Sequence, residues 1–324
     1  MCNGLAICPW RIYLAPILKR WRLDAMKILL LPGLLAAGLW LGSAATAAPN
    51  RVLIVNGYSN HDWPRTTRLI RSILEPTDRF EVTVSTAPGR VDDPDYPAWS
   101  PDFTAHDVVI QTCNDINRSD PPWPEPARKK LEGFVKNGGG LFVFHSANNA
   151  FPKWEAYNAM IGLGWRDKNF GTALRVQEDG SIARIPPGEG AATGHGPRTD
   201  RAIHRLGNHP IHHGLPRVWL TPLIEVYTHA RGPAENLTVL SWAEEPKTGE
   251  RWPIEWTVDF GKGRVYSSTL GHVWKDEADP VDMRCAGFQT ILVRTLQWLA
   301  KSEVDFPVPA DFPTVEKLSL RPLR

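Results

Sequence analysis

Imidazole and carboxylate groups, which bind metals or move protons near neutral pH, recur in this chain beside apolar runs. Residues 141–144 are apolar without alternation, follow three glycines, and end directly at His145. His61 and His272 follow other predicted strands, and Glu225 lies within one. The carboxyl ends of parallel strands meet along one edge of a sheet, where ligands bind in open α/β folds. We therefore expect these four side chains to share one crevice.

Three imidazoles and a carboxylate support two kinds of chemistry. They can hold a divalent metal, zinc being the one expected first, with a position left open for substrate. They can also act as general acid and base without a metal. The spacing of the candidate histidines does not decide between metal binding and acid–base chemistry, because no two of them form a His-x-x-x-His pair on one element. The predicted catalytic residues are His145, Glu225 and His272, and the predicted metal ligands are His145, His209, Glu225 and His272.

Polar and aromatic side chains near the same run ends are predicted to bind the substrate. They are His61, Asp62, Trp63, Asn114, Asn148, Tyr227 and Trp274. Two possible nucleophiles lack support. Ser146 follows a predicted strand, but the Gly-x-Ser-x-Gly motif is absent, and no motif activates Cys113.

Strands and helices must alternate to position these residues. Short apolar runs predict early strands at residues 51–57, 80–86, 106–113 and 141–144. Helical periodicity predicts helices at residues 65–74 and 125–137, with a short helix after Asn149. This order predicts a parallel sheet with right-handed crossovers.

The pattern in the second half of the chain predicts several strands followed by a final helix. Residues 163–198 are rich in glycine and proline and predict a lid or excursion carrying a strand pair near 173–184. Further strands are predicted at residues 202–206, 224–229, 238–242, 253–258 and 263–268. An amphipathic helix at 286–300 closes the domain, and residues 303–324 form a proline-rich tail with no fold signal of their own.

The amino terminus predicts export to the periplasm or the extracellular space. Met26-Lys27 begins a basic and then apolar run to Leu41, and Ala45-Thr46-Ala47 is a small-residue cleavage site. Residues 1–48 are therefore predicted to be a removed signal region, with Met26 as an alternative start, followed by one domain over 49–302. The apolar run is shorter than the ~20 residues of a membrane span, so no membrane attachment is expected after cleavage.

The charge and the cysteine content of the chain bear on nucleic-acid binding and on disulfide formation. The 324 residues carry a formal net charge of +2, and the basic residues are scattered, which does not indicate a nucleic-acid surface. Cys113 and Cys285 remain after the signal region. In an oxidising compartment they could form a disulfide, or they could be two buried thiols, and sequence separation does not decide between these.

Five motifs in order resemble the trehalose-utilisation (ThuA-like) family over about residues 51–300. They are His61-Asp62-Trp63, residues 139–145, His209-Pro210-Ile211 with Gly214-Leu215-Pro216, Glu225-Val226-Tyr227, and residues 261–266 followed by Leu270-Gly271-His272. The resemblance implies a flavodoxin-like α/β sandwich, similar to class I glutamine amidotransferases, with a mostly parallel central sheet and helices on both faces. His145 stands where those enzymes have a cysteine, so glutaminase activity is not expected.

The resemblance also implies a role in carbohydrate metabolism. Family members are associated with oxidised (3-keto) glycosides and disaccharides, and some hold a divalent metal. The leading hypothesis is an exported enzyme that hydrolyses, eliminates or isomerises a small carbohydrate derivative. The alternative is a non-catalytic carbohydrate-binding or scaffold protein on a degenerate amidotransferase fold. A homo-oligomer remains open.

Overall fold

Helices and strands alternate in the amino-terminal half, as the hydrophobic pattern predicts. The computed structural model describes residues 48–116 and 123–323, so residues 1–47 of the predicted signal region lie outside the described residues. The first elements are β1 (Asn50–Asn56), α1 (Trp63–Leu74), β2 (Phe80–Thr86), β3 (Val108–Gln111), α2 (Glu125–Lys136), β4 (Gly140–Val143) and α3 (Glu155–Ile161).

Strands predominate in the second half. They are β5 (Thr172–Val176), β6 (Ile182–Ile185), β7 (Gly194–His195), β8 (Thr199–Arg205), β9 (Val218–Ile224), β10 (Tyr227–Thr228), β11 (Arg231–Gly232), β12 (Leu237–Glu244), β13 (Arg251–Phe260) and β14 (Gly263–Ser268). Two helices follow, α4 (Val281–Arg284) and α5 (Ala286–Leu299). β5 and β6 pair in antiparallel fashion, which confirms the strand pair predicted near residues 173–184.

The central sheet has a parallel half and an antiparallel half. Its order is β2-β1-β3-β4-β14-β13-β12-β8-β9. The pairs from β2 to β14 are parallel, and those from β14 to β9 are antiparallel. The parallel half has the flavodoxin-like order 2-1-3-4-5, with β14 in the fifth position. The predicted α/β flavodoxin-like class is confirmed.

Side chains that alternate along the parallel strands feed two cores on opposite faces of the sheet. Val52 and Ile54 enter the core under α1 and α5, whereas Leu53 and Val55 enter the core under α2 and α3. Within the described residues, no helix is long and apolar enough to cross a membrane.

The two cysteines belong to different cores. Cys113, just after β3, packs in the core under α2 and α3, and Cys285, just before α5, packs in the core under α1 and α5. Both are buried, and they are not joined in a disulfide. The sheet lies between them, so the pairing left open by the sequence does not occur in this fold.

Helix α5 is buried on every side, including the side predicted to face solvent. Its polar residues bond to the segment after residue 302. Arg294 Nε donates to the carbonyl of Phe306 at 2.8 Å, and Gln297 Oε1 accepts from the Phe306 N–H at 3.1 Å. The Ala286 N–H donates to the Ser319 carbonyl at 2.9 Å. The proline-rich tail therefore completes the fold by covering the polar face of this helix.

Candidate functional site

Three strand ends bring three histidines together. His61 lies in the loop after β1, His145 follows β4, and His272 follows β14. Their ring centroids are 4.8–5.2 Å apart, and one nitrogen from each ring lies within 4.8 Å of the others. All three residues are buried. Strands β1, β4 and β14 all belong to the parallel half of the sheet, which is why these loops meet at one edge.

Glu225 reaches the same cluster from the antiparallel half. It lies just after β9, although the sequence predicted it within a strand. Its carboxylate oxygens are 3.7 Å from His145 Nε2, 3.5 Å from His272 Nε2 and 3.5 Å from His195 Nε2. One buried carboxylate therefore faces three imidazole nitrogens.

The three clustered imidazoles are neutral at pH 7. Burial, followed by the neighbouring charges of His272 and Arg198, lowers the pKa of His61 from 6.5 to about 3. Burial and Arg198 lower the pKa of His272 to about 3, and burial holds the pKa of His145 well below its ordinary value. Burial raises the pKa of Glu225. The imidazoles thus keep a lone pair, and the carboxyl group binds a proton more readily than an exposed one does.

A buried amide network fixes the tautomer of His61. Its Nδ1 lies 2.9 Å from Asn60 Oδ1 and 2.9 Å from Ser146 Oγ. Asn114 Nδ2 donates to both of those oxygens at 2.7 Å, which orients the Asn60 amide. Because Asn60 Oδ1 can only accept, the proton of His61 sits on Nδ1. The Nε2 lone pair of His61 is left for a ligand.

His272 is held through its backbone, and its ring lies between two carboxylates. The His272 N–H donates to Asp282 Oδ2 at 2.7 Å, and its Nδ1 lies 3.5 Å from Glu277 Oε2. Burial raises the pKa of Asp282 to about 7. The two ring nitrogens of His272 therefore face two carboxylates, Nδ1 toward Glu277 and Nε2 toward Glu225.

His195 is a member of the site that the sequence analysis did not predict. The short strand β7 pairs with β10, and His195 is opposite Tyr227. This pairing brings the 163–198 segment against the Glu225 loop. No spacing signal in the sequence marks His195, because its position depends on a pairing between distant residues.

Aromatic residues surround the cluster. Tyr227 lies with its ring centroid 5.8 Å from that of His145, and burial keeps its pKa well above the ordinary value. Trp274 stacks on His272 at 5.8 Å, yet 43% of it remains exposed. Trp165, which the sequence analysis missed, packs edge-on to Tyr227 at 5.0 Å. Two indoles and a phenol therefore pack around the histidines, and Trp274 reaches the surface.

The remaining predicted substrate residues divide into two groups. Asn148 is buried, and its side-chain amide has no hydrogen-bond partner within the described residues, so it can bind a ligand. Asn114 is fully buried and orients the His61 network instead of facing substrate. Asp62 caps α1 by accepting from the Arg65 N–H at 3.0 Å. Trp63 lines a separate cleft of about 590 Å³ beside Trp99.

His209 lies away from the other predicted metal ligands. Its ring packs against Trp298, 4.8 Å between centroids, and it shares a cavity with Arg264. Arg264 pairs with Gly140 at the starts of β14 and β4, whereas His145 and His272 follow the ends of those strands. The prediction of His209 as a ligand alongside them was wrong, because the turn that carries it lies at the amino-terminal edge of the sheet.

The family of this chain follows from its sequence and fold together. A family model for ThuA, described as trehalose utilisation, matches residues 51–299. The chain belongs to the ThuA family. This membership gives it a carbohydrate-related role.

A solved structure agrees with the ThuA assignment. A ThuA-like protein from Parabacteroides merdae is 31% identical, with a TM-score of 0.77 over 84% of this chain and 98% of that one. A β-galactosidase from Bacillus circulans is 13% identical over 79% of this chain and 32% of that one, TM-score 0.43. A glutamine amidotransferase from Thermotoga maritima is 10% identical over 68% and 74%, TM-score 0.34. The last two likenesses are too low to bear on function. No curated protein matches the sequence.

The site of this ThuA-family chain fits a divalent cation. His61, His145 and His272 present neutral imidazoles close enough to share one ion. Both ring nitrogens of His145 are buried without a hydrogen-bond partner within the described residues. Such groups are costly unless something binds them, and a metal ion would satisfy the imidazole that faces it.

Proposed function

We propose that this protein is an enzyme that converts a carbohydrate derivative at the His145, Glu225 and His272 cluster. One observation carries the proposal: a buried carboxylate lies within 3.7 Å of the Nε2 atoms of three imidazoles, beside an indole, that of Trp274, which reaches the surface. A purely structural cluster would have its polar atoms paired, and His145 does not.

His61, His145 and His272 are the residues that would hold a divalent metal, with zinc the best match to imidazole ligands. Such an ion supplies Lewis acidity at a keto or hydroxyl oxygen of the substrate. Glu225 holds a proton more readily than an exposed carboxyl group, because burial raises its pKa. We assign it the transfer of a proton to or from the sugar.

The aromatic residues suit a pyranose ring. The indole of Trp274 is exposed on one side and fixed on the other by His272 and His61. Sugar C–H groups stack on such surfaces, and the phenol of Tyr227 stays protonated as a donor. The family's description as trehalose utilisation supports a glycoside or disaccharide. We propose a 3-keto glycoside as substrate, converted by hydrolysis, elimination or isomerisation.

The experiment measures metal content and turnover in parallel. Protein purified without chelator is assayed for bound zinc and for conversion of 3-keto glycosides, with and without added zinc. His145→Ala is expected to lose turnover while remaining folded by circular dichroism, and His209→Ala, a histidine outside the cluster, is expected to retain it. Turnover by His145→Ala at the wild-type rate would contradict the proposal. Sugar binding without metal or turnover would instead favour a carbohydrate-binding protein.

We also propose that the enzyme works outside the cytoplasm, from the basic and apolar run that precedes Ala45-Thr46-Ala47. Amino-terminal sequencing of the protein from the periplasmic fraction is expected to begin near residue 48. Recovery of the full-length chain from the cytoplasm would contradict export.

A further inference from the structure

The motif His209-Pro210-Ile211 lies outside the catalytic cluster and borders a second cavity. This cavity has a volume of about 770 Å³ and lies at the amino-terminal edge of the sheet. Arg264, at the start of β14, lines it together with Arg205 at the end of β8 and Lys301 after α5. The catalytic cluster lies past the opposite end of β14, so the two sites are separate.

The cavity carries positive charge that the protein does not balance. Arg205, Arg264 and Lys301 line it, and no carboxylate does. Within the described residues, none of these three side chains forms an ion pair. The buried carboxylate of Glu255 lies near His209, but its ion-pair partner is His212. Cations focused in a concave surface attract anions.

Backbone carbonyls hold the three cations in place. Arg264 Nη1 donates to the Trp298 carbonyl at 2.7 Å, and its guanidinium lies 4.9 Å from the Trp298 ring centroid. Arg205 Nη1 donates to the His212 carbonyl at 2.9 Å, and Lys301 Nζ donates to the Lys262 carbonyl at 3.0 Å. Each of these contacts uses only some of the available N–H groups. The remaining donors are therefore positioned before a ligand arrives, which lowers the entropic cost of binding.

His209 adds a neutral donor to the same cavity. Its Nδ1 accepts from the Ile211 N–H at 3.4 Å, so in the neutral ring the proton lies on Nε2. Burial lowers the pKa of His209 to about 4, so the ring is neutral at pH 7. The ring edge against Trp298 limits its rotation.

We propose that this cavity binds a phosphate group, carried either by inorganic phosphate or by a sugar phosphate. Two guanidinium groups and an ammonium group match a dianion with several acceptor oxygens better than they match a single carboxylate. The proposal does not depend on the catalytic function, because it involves none of the residues of the histidine cluster.

The test titrates the full protein with sodium phosphate and with glucose 6-phosphate, using calorimetry and thermal shift. Sodium chloride at equal ionic strength and glucose are the controls. Saturable binding of phosphate is expected. Tighter binding of the ester would identify a sugar phosphate as the ligand, and equal or weaker binding would identify inorganic phosphate.

Variants separate the cavity from general surface charge. Arg264→Gln and Lys301→Gln are each expected to weaken phosphate binding at least about tenfold, the effect of losing one charge-assisted hydrogen bond. Lys301→Gln leaves the Arg264–Trp298 contact intact, so it tests the site even if Arg264→Gln unfolds. Arg68→Gln, an exposed arginine on α1, is expected to bind like the wild type. Absence of saturable binding, or unchanged affinity in Lys301→Gln, would overturn the proposal.

Discussion

Two buried histidine–glutamate pairs of the described residues, His212–Glu255 and His145–Glu225, differ in almost every respect except composition. In one, His212 Nε2 lies 3.3 Å from the carboxylate of Glu255. In the other, His145 Nε2 lies 3.7 Å from the carboxylate of Glu225. Both histidines are buried, so burial and residue type alone do not tell a structural pair from a functional one.

Hydrogen bonding separates the two pairs. Glu255 accepts from the Tyr266 hydroxyl at 2.6 Å and from Ser241 Oγ at 2.5 Å. Burial alone would raise its pKa, but His212 and these hydroxyl groups bring it below the ordinary value. No hydroxyl group donates to Glu225 in the described part of the chain, and burial raises its pKa. A carboxylate held by several donors is fixed in one charge state, whereas a carboxylate without hydroxyl donors is available to a substrate.

Location explains the difference in bonding. Glu255 lies inside β13, opposite Ser268 of β14, where neighbouring strands supply partners on both sides. Glu225 lies past the end of β9, where the strands stop and loops meet. A buried acid beyond a strand end should therefore be tested for function, and a buried acid within paired strands should be tested for its effect on stability.

The largest expected effect comes from Glu225→Gln, which keeps the shape of the side chain and removes its proton chemistry. Turnover of the 3-keto glycoside should fall about 10²–10⁴-fold, the usual contribution of a general acid or base. The free energy of unfolding should stay the same or rise, because the substitution removes a carboxylate whose charged form burial disfavours. Steady-state kinetics and urea unfolding measure the two quantities. A stable variant with full activity would show that Glu225 is not the proton carrier.

Glu255→Gln, the matched substitution, should have the opposite effect. It leaves His212 without its charged partner, and breaking a buried pair in this way costs about 3–5 kcal/mol of stability. The activity of the molecules that remain folded should be close to that of the wild type. Urea unfolding together with turnover per folded molecule checks this. If activity fell while stability held, the two pairs would not differ as described.

Asn114→Ala tests whether the hydrogen-bond network of Asn114 orients His61. Loss of the two hydrogen bonds that Asn114 Nδ2 donates frees the Asn60 amide and Ser146 and releases the tautomer of His61. Loss of such an outer interaction typically lowers metal affinity about 10–100-fold. Competition with a zinc-binding dye gives the affinity, and Asn169→Ala at an exposed position is the control. Equal zinc affinity in the two variants would show that the network does not orient His61.

The smallest expected effect is on the pH dependence of stability in the metal-free protein. His61 and His272 have pKa values of about 3 when folded and 6.5 when exposed. Between these values the unfolded chain binds more protons, so the free energy of unfolding falls as pH decreases from 6.5 toward 3. Removing one group should flatten the slope by at most about 1.4 kcal/mol per pH unit.

His272→Gln should therefore flatten the slope of unfolding free energy between pH 6.5 and 4.5. Glu255, whose pKa is lowered, loses its contribution only below its ordinary value of 4.5, so Glu255→Gln should leave that window unchanged. Chemical unfolding at a series of pH values in the presence of chelator gives both slopes. Equal slopes for the wild type and His272→Gln would argue against a neutral buried imidazole at His272.

The positions of the strand ends could be predicted from the sequence, and so could their convergence at one edge of the sheet. Apolar runs marked β1 and β4 as buried strands, residues 263–268 were predicted as a further strand, and the convergence of strand ends then placed His61, His145 and His272 at one edge. The resemblance to the ThuA family supplied the flavodoxin-like class. This part of the fold could be predicted because it depends on the local pattern of apolar and polar residues.

The positions of His195 and His209 were not predictable in the same way. His195 reaches the site through the pairing of β7 with β10, and His209 is carried by a turn to the other edge of the sheet. Neither contact has a local signature, because antiparallel pairings and turn directions depend on residues far apart in the chain. The roles of Asp62 as a helix cap and of Asn114 as a support were missed because a polar residue near a strand end can bind backbone or neighbours as readily as substrate.

The wrapping of α5 by the last twenty or so residues affects how the protein should be produced. A fragment cut at the end of the family match, residue 299, would expose Arg294 and Gln297 without their carbonyl and amide partners, and the face of the helix that Phe312 and Pro313 cover. Such a fragment should aggregate on expression, so laboratories seeking crystals should retain the carboxyl terminus and place purification tags elsewhere.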